Sequence, residues 1–148
     1  MRHALDNGCW GMVVRRPVRI ARRKSRIAGF GVYALEPIAK NTRIVSYEGE
    51  RISHRESERR EARQLPRGRI WCFTLDERTV VDASVGGNIA RFINHACRPN
   101  CYVQILDGVI WIRAARNIRT SEELTYDYNT GGAAEIVCRC KPYCETVL

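Results

Sequence analysis

The chain has 148 residues, 45% of them hydrophobic, and 25 Lys+Arg against 16 Asp+Glu give it a net charge of +9. That is the length of one ordinary domain, with enough apolar content for a real core. No run approaches the ~20 apolar residues of a membrane span and the first residues hold no signal-like stretch, so an intracellular protein with no membrane partner is expected.

The positive excess is concentrated early, at Arg15, Arg16, Arg19, Arg22, Arg23, Lys24 and Arg26, a stretch without an acidic residue. It suits nucleic acid or an acidic protein surface as a partner, and equally well a plain solvated face. Next comes "IAGFGVYA" (27–34), a G-x-G without a third glycine, which by itself says only that the chain can turn sharply. "TRIVSYEGERI" (42–52) is β-branched and partly alternating, and reads as a strand. "SHRESERREARQL" (53–65) reads as a helix, with Ser53 as cap, Glu56 completing a capping box, a Glu56–Arg60 pair at i,i+4, and Pro66 and Gly68 ending it. Its surface is almost wholly charged, so it is expected to be an exposed insert. "RIWCFTLDERTVVDA" (69–83) predicts two strands reversing around Asp76-Glu77-Arg78, and "CYVQILDGVIWIRAA" (101–115) predicts a hairpin at Asp107-Gly108. The sum is a mostly β chain, with none of the βαβ alternation of a nucleotide-binding sheet.

Seven cysteines in a soluble intracellular chain point to metal before disulfides. "CRCKPYC" places Cys138, Cys140 and Cys144 within seven residues. Structural zinc takes four ligands, so a fourth is needed from Cys9, Cys72, Cys97 or Cys101. A nucleophilic Cys97 activated by His95 is the competing chemistry, ranked lower on the expectation that the two side chains point apart. "LTYDYN" (124–129) puts Tyr126 and Tyr128 on one face of any strand, as ordinary core aromatics would also be.

In order, "KSRIAGFGVYA", "IVSYEGERI", "VVDASVGGNIARFINHACRPNC", "EELTYDYN" and "CRCKPYC" resemble the SET-domain protein lysine methyltransferases, post-SET cysteines included, from about Lys24 to Cys144. The resemblance implies several short sheets with a pseudoknot, a helical insert at 53–65 and a zinc-bound tail. It divides the chain into a basic N-terminal segment (1–23) packing on the domain, a SET domain (24–130) and a post-SET segment (131–148). It implies that Ala28, Gly29, Phe30, Gly31, Asn94 and His95 hold S-adenosylmethionine, that Arg139 reaches it from the tail, and that Cys97 joins Cys138, Cys140 and Cys144 on a structural zinc, leaving Cys101 for packing. Trp71 stands where the family usually has a tyrosine near the cofactor, Ala96 replaces a serine, and the Cys140–Cys144 spacing is one residue short.

The implied reaction is transfer of a methyl from a sulfonium to a neutral lysine amine, the two reactants entering a channel from opposite ends. A sulfonium ~4 Å from an ammonium repels it by about 4 kcal/mol at an effective dielectric near 20, roughly three pK units, so no dedicated base is required. Tyr128 is expected to orient amine and methyl, Tyr126 to limit the product to mono- or dimethyllysine, and Tyr47 to line the substrate channel or to pack. The substrate would be a lysine-bearing protein or peptide, histone or other, although the net charge argues against a strongly basic tail as sole substrate. The short domain, with no cysteine-rich region before it, suggests a minimal stand-alone enzyme, cytoplasmic if prokaryotic and nuclear or chromatin-associated if eukaryotic. The alternative is a non-enzymatic zinc module of the same fold binding nucleic acid through its basic surface.

Overall fold

The computed structural model describes residues 16–148, so residues 1–15, with Cys9 and Arg15, lie outside the described part. Ten short strands and one helix follow in order: β1 Ile20–Lys24, β2 Phe30–Ala34, β3 Arg43–Ser46, β4 Glu50–Ile52, α1 His54–Gln64, β5 Cys72–Thr74, β6 Val80–Asp82, β7 Asn94–His95, β8 Cys101–Leu106, β9 Val109–Ala114 and β10 Glu123–Tyr126. They form three small sheets, β1-β2-β10-β7, β3-β9-β8 and β4-β6-β5. The expectation of a mostly β chain holds.

The β8–β9 hairpin turns where the sequence places it. Asp107 and Gly108 both have positive φ, 50° and 71°, the backbone that lets a two-residue turn follow the twist of its strands. Strands β5 and β6 pair antiparallel across the Asp76 turn. The stretch 42–52, read as one strand, is two strands in different sheets. The break lies at Gly49, where a Cβ would sit 2.4 Å from the Asp82 carbonyl oxygen. The chain crosses the end of β6 at van der Waals limits there and is handed from β3's sheet to β4's.

Helix α1 begins as expected, with the Glu56 N–H donating to Ser53 Oγ at 3.2 Å. The return half of the capping box is replaced: the Glu56 carboxylate is held by Arg59 and Arg60 instead. A 3-10 turn over Leu65–Arg67 and a left-handed Gly68 (φ 69°) close the helix. It is largely exposed, with Ser57 its buried residue. It is nevertheless tied down, because Arg60 reaches Glu50 at 2.7 Å and the fully buried Asp82 at 2.9 Å. Burial pushes the Asp82 carboxyl up, but Arg60, Ser84 and Gln64 outweigh it and hold the group below its ordinary value.

The core joins the sheets through Val32, Ile93, Ile110, Ile112, Ile118, Leu124 and Cys101, all essentially solvent-free. Burial pushes the Cys101 thiol up to about 12, so it behaves as a small apolar side chain. Strand β1 pairs with β2 along its whole length, Ile20 opposite Ala34 through Lys24 opposite Phe30, and so runs across the boundary expected between residues 23 and 24. The last residues form a separate small cluster of Ala134, Cys138, Cys144 and Leu148.

Candidate functional site

Strand β10 lies between β2 and β7, antiparallel to the first and parallel to the second. This insertion gathers chain segments about thirty to a hundred residues apart around one surface: the glycine turn entering β2, Asn94 and His95 of β7, and Tyr126 and Tyr128 at and beyond the end of β10. Two cavities open there.

The first, about 670 Å³, is walled by Ala28, Gly29, Phe30, Trp71, Asn94, His95, Tyr128 and Arg139, all expected from the sequence. It also takes Arg67, Arg69, Arg91 and Phe92, together with Ile136, Val137 and Leu148 of the tail, which were not foreseen. Arg91 belongs to the quoted "GNIARFINH" block, yet its role is visible only in three dimensions. Its guanidinium lies 5.1 Å from the Trp71 ring centre and 4.8 Å from that of Phe92, and Arg69 covers Trp71 at 4.9 Å. Trp71 thus has two guanidiniums within cation–π distance of its ring.

Of the expected cofactor residues, Gly31 alone is not on the cavity wall; it sits over the carboxylate of Glu123, where a Cβ would be 2.1 Å from Oε1. The Asn94 side-chain amide is spent within the protein, donating to the Phe30 carbonyl at 3.0 Å and to Glu123 at 2.8 Å. That is the loop-anchoring role its residue type allows. His95 Nδ1 accepts the Tyr128 backbone N–H at 3.2 Å, and burial, opposed by the Asp127 charge, lowers the affinity of the ring for a second proton.

The second cavity, about 550 Å³, is lined by Glu61, Phe73, Thr74, Tyr126, Asp127, Tyr128 and the tail residues Ala133 and Ala134 among others, and none of its lining residues is Lys or Arg. Tyr128 and Ile70 wall both cavities. The Tyr128 hydroxyl donates to the Ile93 carbonyl at 2.8 Å, so its oxygen lone pairs are left for a ligand. Burial, then the Glu123 charge, raise its pKa well above the ordinary phenol value, so the group stays protonated. Tyr126 lies 4.9 Å away, ring centre to ring centre, and is pushed up by burial in the same way. Tyr47 sits one ring further back, behind Phe73, and donates to the Trp71 carbonyl at 2.8 Å. It lines neither cavity, and its hydroxyl props the segment that leads into β5 and carries Trp71.

Cys97, Cys138, Cys140 and Cys144 converge, with all four sulfurs within 4.8 Å of one another. The nearer separations are 3.7 Å, 3.8 Å and 4.0 Å. Four thiolates at about 2.3 Å in a tetrahedron around zinc would stand about 3.8 Å apart, so the donors fit that ion in number, type and spacing despite the short Cys140–Cys144 loop. The expectation that His95 and Cys97 point apart is wrong: Sγ lies 3.6 Å from Nε2, because residues two apart on an extended chain share a face. Four clustered sulfurs still favour ligation over a nucleophile.

A family model described as the SET domain matches residues 29–129. The chain belongs to the SET-domain family. It is 45% identical over 145 residues to a Debaryomyces hansenii protein named histone-lysine N-methyltransferase, H3 lysine-4 specific, covering 90% of this chain and 13% of that one. The Saccharomyces cerevisiae protein of the same name is 48% identical over 120 residues, 77% of this chain and 11% of that one. The chain thus spans only a small part of the relatives' length. Among solved structures it is similar to Chaetomium thermophilum Polycomb Repressive Complex 2 bound to GSK126, with a TM-score of 0.70 and 33% identity over 77% of this chain and 16% of that one.

Proposed function

We propose that the chain is an S-adenosylmethionine-dependent protein-lysine N-methyltransferase domain acting on a histone lysine, with a structural zinc in its tail. The observation that carries this reading is Tyr128 as shared wall of two cavities, one lined by the glycine turn and by Cys138 and Arg139 of the tail, the other by Glu61 of α1 and Asp127. A reaction between two ligands held in separate cavities and meeting at one residue suits that layout. S-adenosylmethionine supplies the electrophilic methyl. The protein holds the donor against Ala28, Gly29, Phe30 and Trp71, excludes water with Tyr126 and Phe73, and aims the amine with the Tyr128 oxygen. Because the Tyr128 proton is committed to Ile93, that oxygen acts as an acceptor toward both amine and methyl. Tyr126 makes the second cavity narrower than a phenylalanine would, which supports mono- or dimethylation.

The overall charge of +9 argues against a basic substrate, but the second cavity has its own balance: Glu61 and Asp127, with no lining cation. A lysine-rich histone segment suits it, and with the fungal relatives this supports a nuclear, chromatin-associated setting.

The test is Tyr128→Phe with labelled S-adenosylmethionine and histone H3. Turnover should fall by at least about 10²-fold while donor affinity and melting temperature stay near wild type. A variant that kept a tenth of the wild-type rate would sink this mechanism.

A further inference from the structure

The turn that walls the first cavity has few contacts of its own. Residues Ser25–Gly29 close on one backbone bond, the Ser25 N–H to the Gly29 carbonyl at 3.0 Å, and Gly29 is left-handed at φ 42°. What fixes the turn from behind is a carboxylate. Glu123, the first residue of β10, accepts from Ser25 Oγ at 2.7 Å, from Tyr33 Oη at 2.9 Å and from Asn94 Nδ2 at 2.8 Å. Ser25 in turn accepts the Ile27 N–H at 2.9 Å, and the other Asn94 amide proton goes to the Phe30 carbonyl. No Lys or Arg forms an ion pair with Glu123 among the described residues, so its charge is met by neutral donors from the turn, β2 and β7. Glu123 is not part of the cavity lining.

We propose that Glu123 is the positioning residue of the donor site: acting through Ser25 and Asn94, it sets where the 27–30 backbone stands, and thereby the affinity for S-adenosylmethionine. The inference rests on the reading of that cavity as the donor site. Its chemistry requires an acceptor-only group, since three donors converge on two oxygens. A glutamine of the same size turns one of those oxygens into an NH₂ facing a donor, leaving an unmet donor in a half-buried place. Residue 31 must be glycine for the same reason, since any Cβ there would occupy the position of Glu123 Oε1.

The experiment compares Glu123→Gln and Ser25→Ala with Tyr33→Phe. Tyr33 bonds the same carboxylate from β2 but does not touch the 27–30 backbone, so it controls for a merely structural role. Calorimetry with S-adenosylmethionine on the whole chain should show Kd raised about tenfold or more for Glu123→Gln, severalfold for Ser25→Ala, and within about twofold of wild type for Tyr33→Phe. At saturating donor, kcat for Glu123→Gln should stay within about threefold, so the loss appears in the donor KM. Amide exchange of the free protein gives a readout independent of the donor, with faster exchange in Glu123→Gln confined to residues 26–30. Equal loss of affinity in all three variants, or unchanged exchange at the turn, would overturn the proposal. If the wild-type protein bound no S-adenosylmethionine, the proposed function would fail, and the exchange comparison would still decide whether Glu123 sets the turn.

Discussion

The three-sheet body and the C-terminal segment hold themselves together by different physics. In the body, Val32, Ile110, Ile112, Ile118 and Leu124 are fully buried against one another across sheet boundaries. In the tail, the buried set is Ala134, Cys138, Cys144 and Leu148, and its backbone order beyond turns is one isolated bridge, Val137 to Val147. Burying four such side chains removes too little apolar area to offset the entropy of ordering about eighteen residues. The body folds by apolar burial; the tail would draw its stability from the proposed zinc on its four converging sulfurs. Yet both wall the first cavity, so that site depends on the weaker of the two.

The sharpest way to break this contrast is to take the metal away. Structural zinc in small sites contributes roughly 10–16 kcal/mol. Chelation, or Cys138→Ser, should therefore disorder residues from about 131 on and abolish donor binding, while the circular dichroism of the sheets persists. Metal analysis of the native protein should find one zinc per chain. A Leu124→Ala substitution probes the other side, and should cost about 2–5 kcal/mol of global stability without changing the zinc stoichiometry of the folded fraction, measured by denaturant unfolding.

Acid should weaken the body. Asp82 is held below its ordinary carboxyl pKa by Arg60, Ser84 and Gln64 despite its burial. A folded-state pKa lower than the unfolded one adds stability above the unfolded value, about 4, and that increment is lost as the pH falls through the folded value. Asp82→Asn should lower the melting temperature at pH 7 and flatten its dependence below about pH 4. The smallest effect expected is at the helix start, where Ser53→Ala should cost about 1 kcal/mol and leave metal and donor binding intact.

Much of this molecule can be read from its order of residues. The Asp107-Gly108 hairpin, the α1 start at Ser53 and the Cys138, Cys140 and Cys144 cluster rest on local chemistry: which backbones tolerate positive φ, which side chains cap, which thiols lie close in the chain. The fourth sulfur, Cys97, more than forty residues away, came from the family resemblance alone. The two tyrosines were legible as a pair, though not which would stand between two cavities. The division of 42–52 into two sheets was hidden because it is caused by the backbone of Asp82, more than thirty residues away, pressing on Gly49. Tyr47 has a phenol's chemistry in the sequence, and only packing shows that Trp71's carbonyl has taken its proton.

By itself, then, the sequence determined the mostly β character, the Asp107-Gly108 hairpin, the helix, the thiol chemistry of the tail and the kind of residue available at each motif, all consequences of side-chain type and short spacing. The tertiary structure alone decided that β10 would enter between β2 and β7. That insertion makes Glu123 a support for the glycine turn and Tyr128 a wall common to both cavities, because only long-range strand pairing fixes which distant side chains share a few ångströms of space.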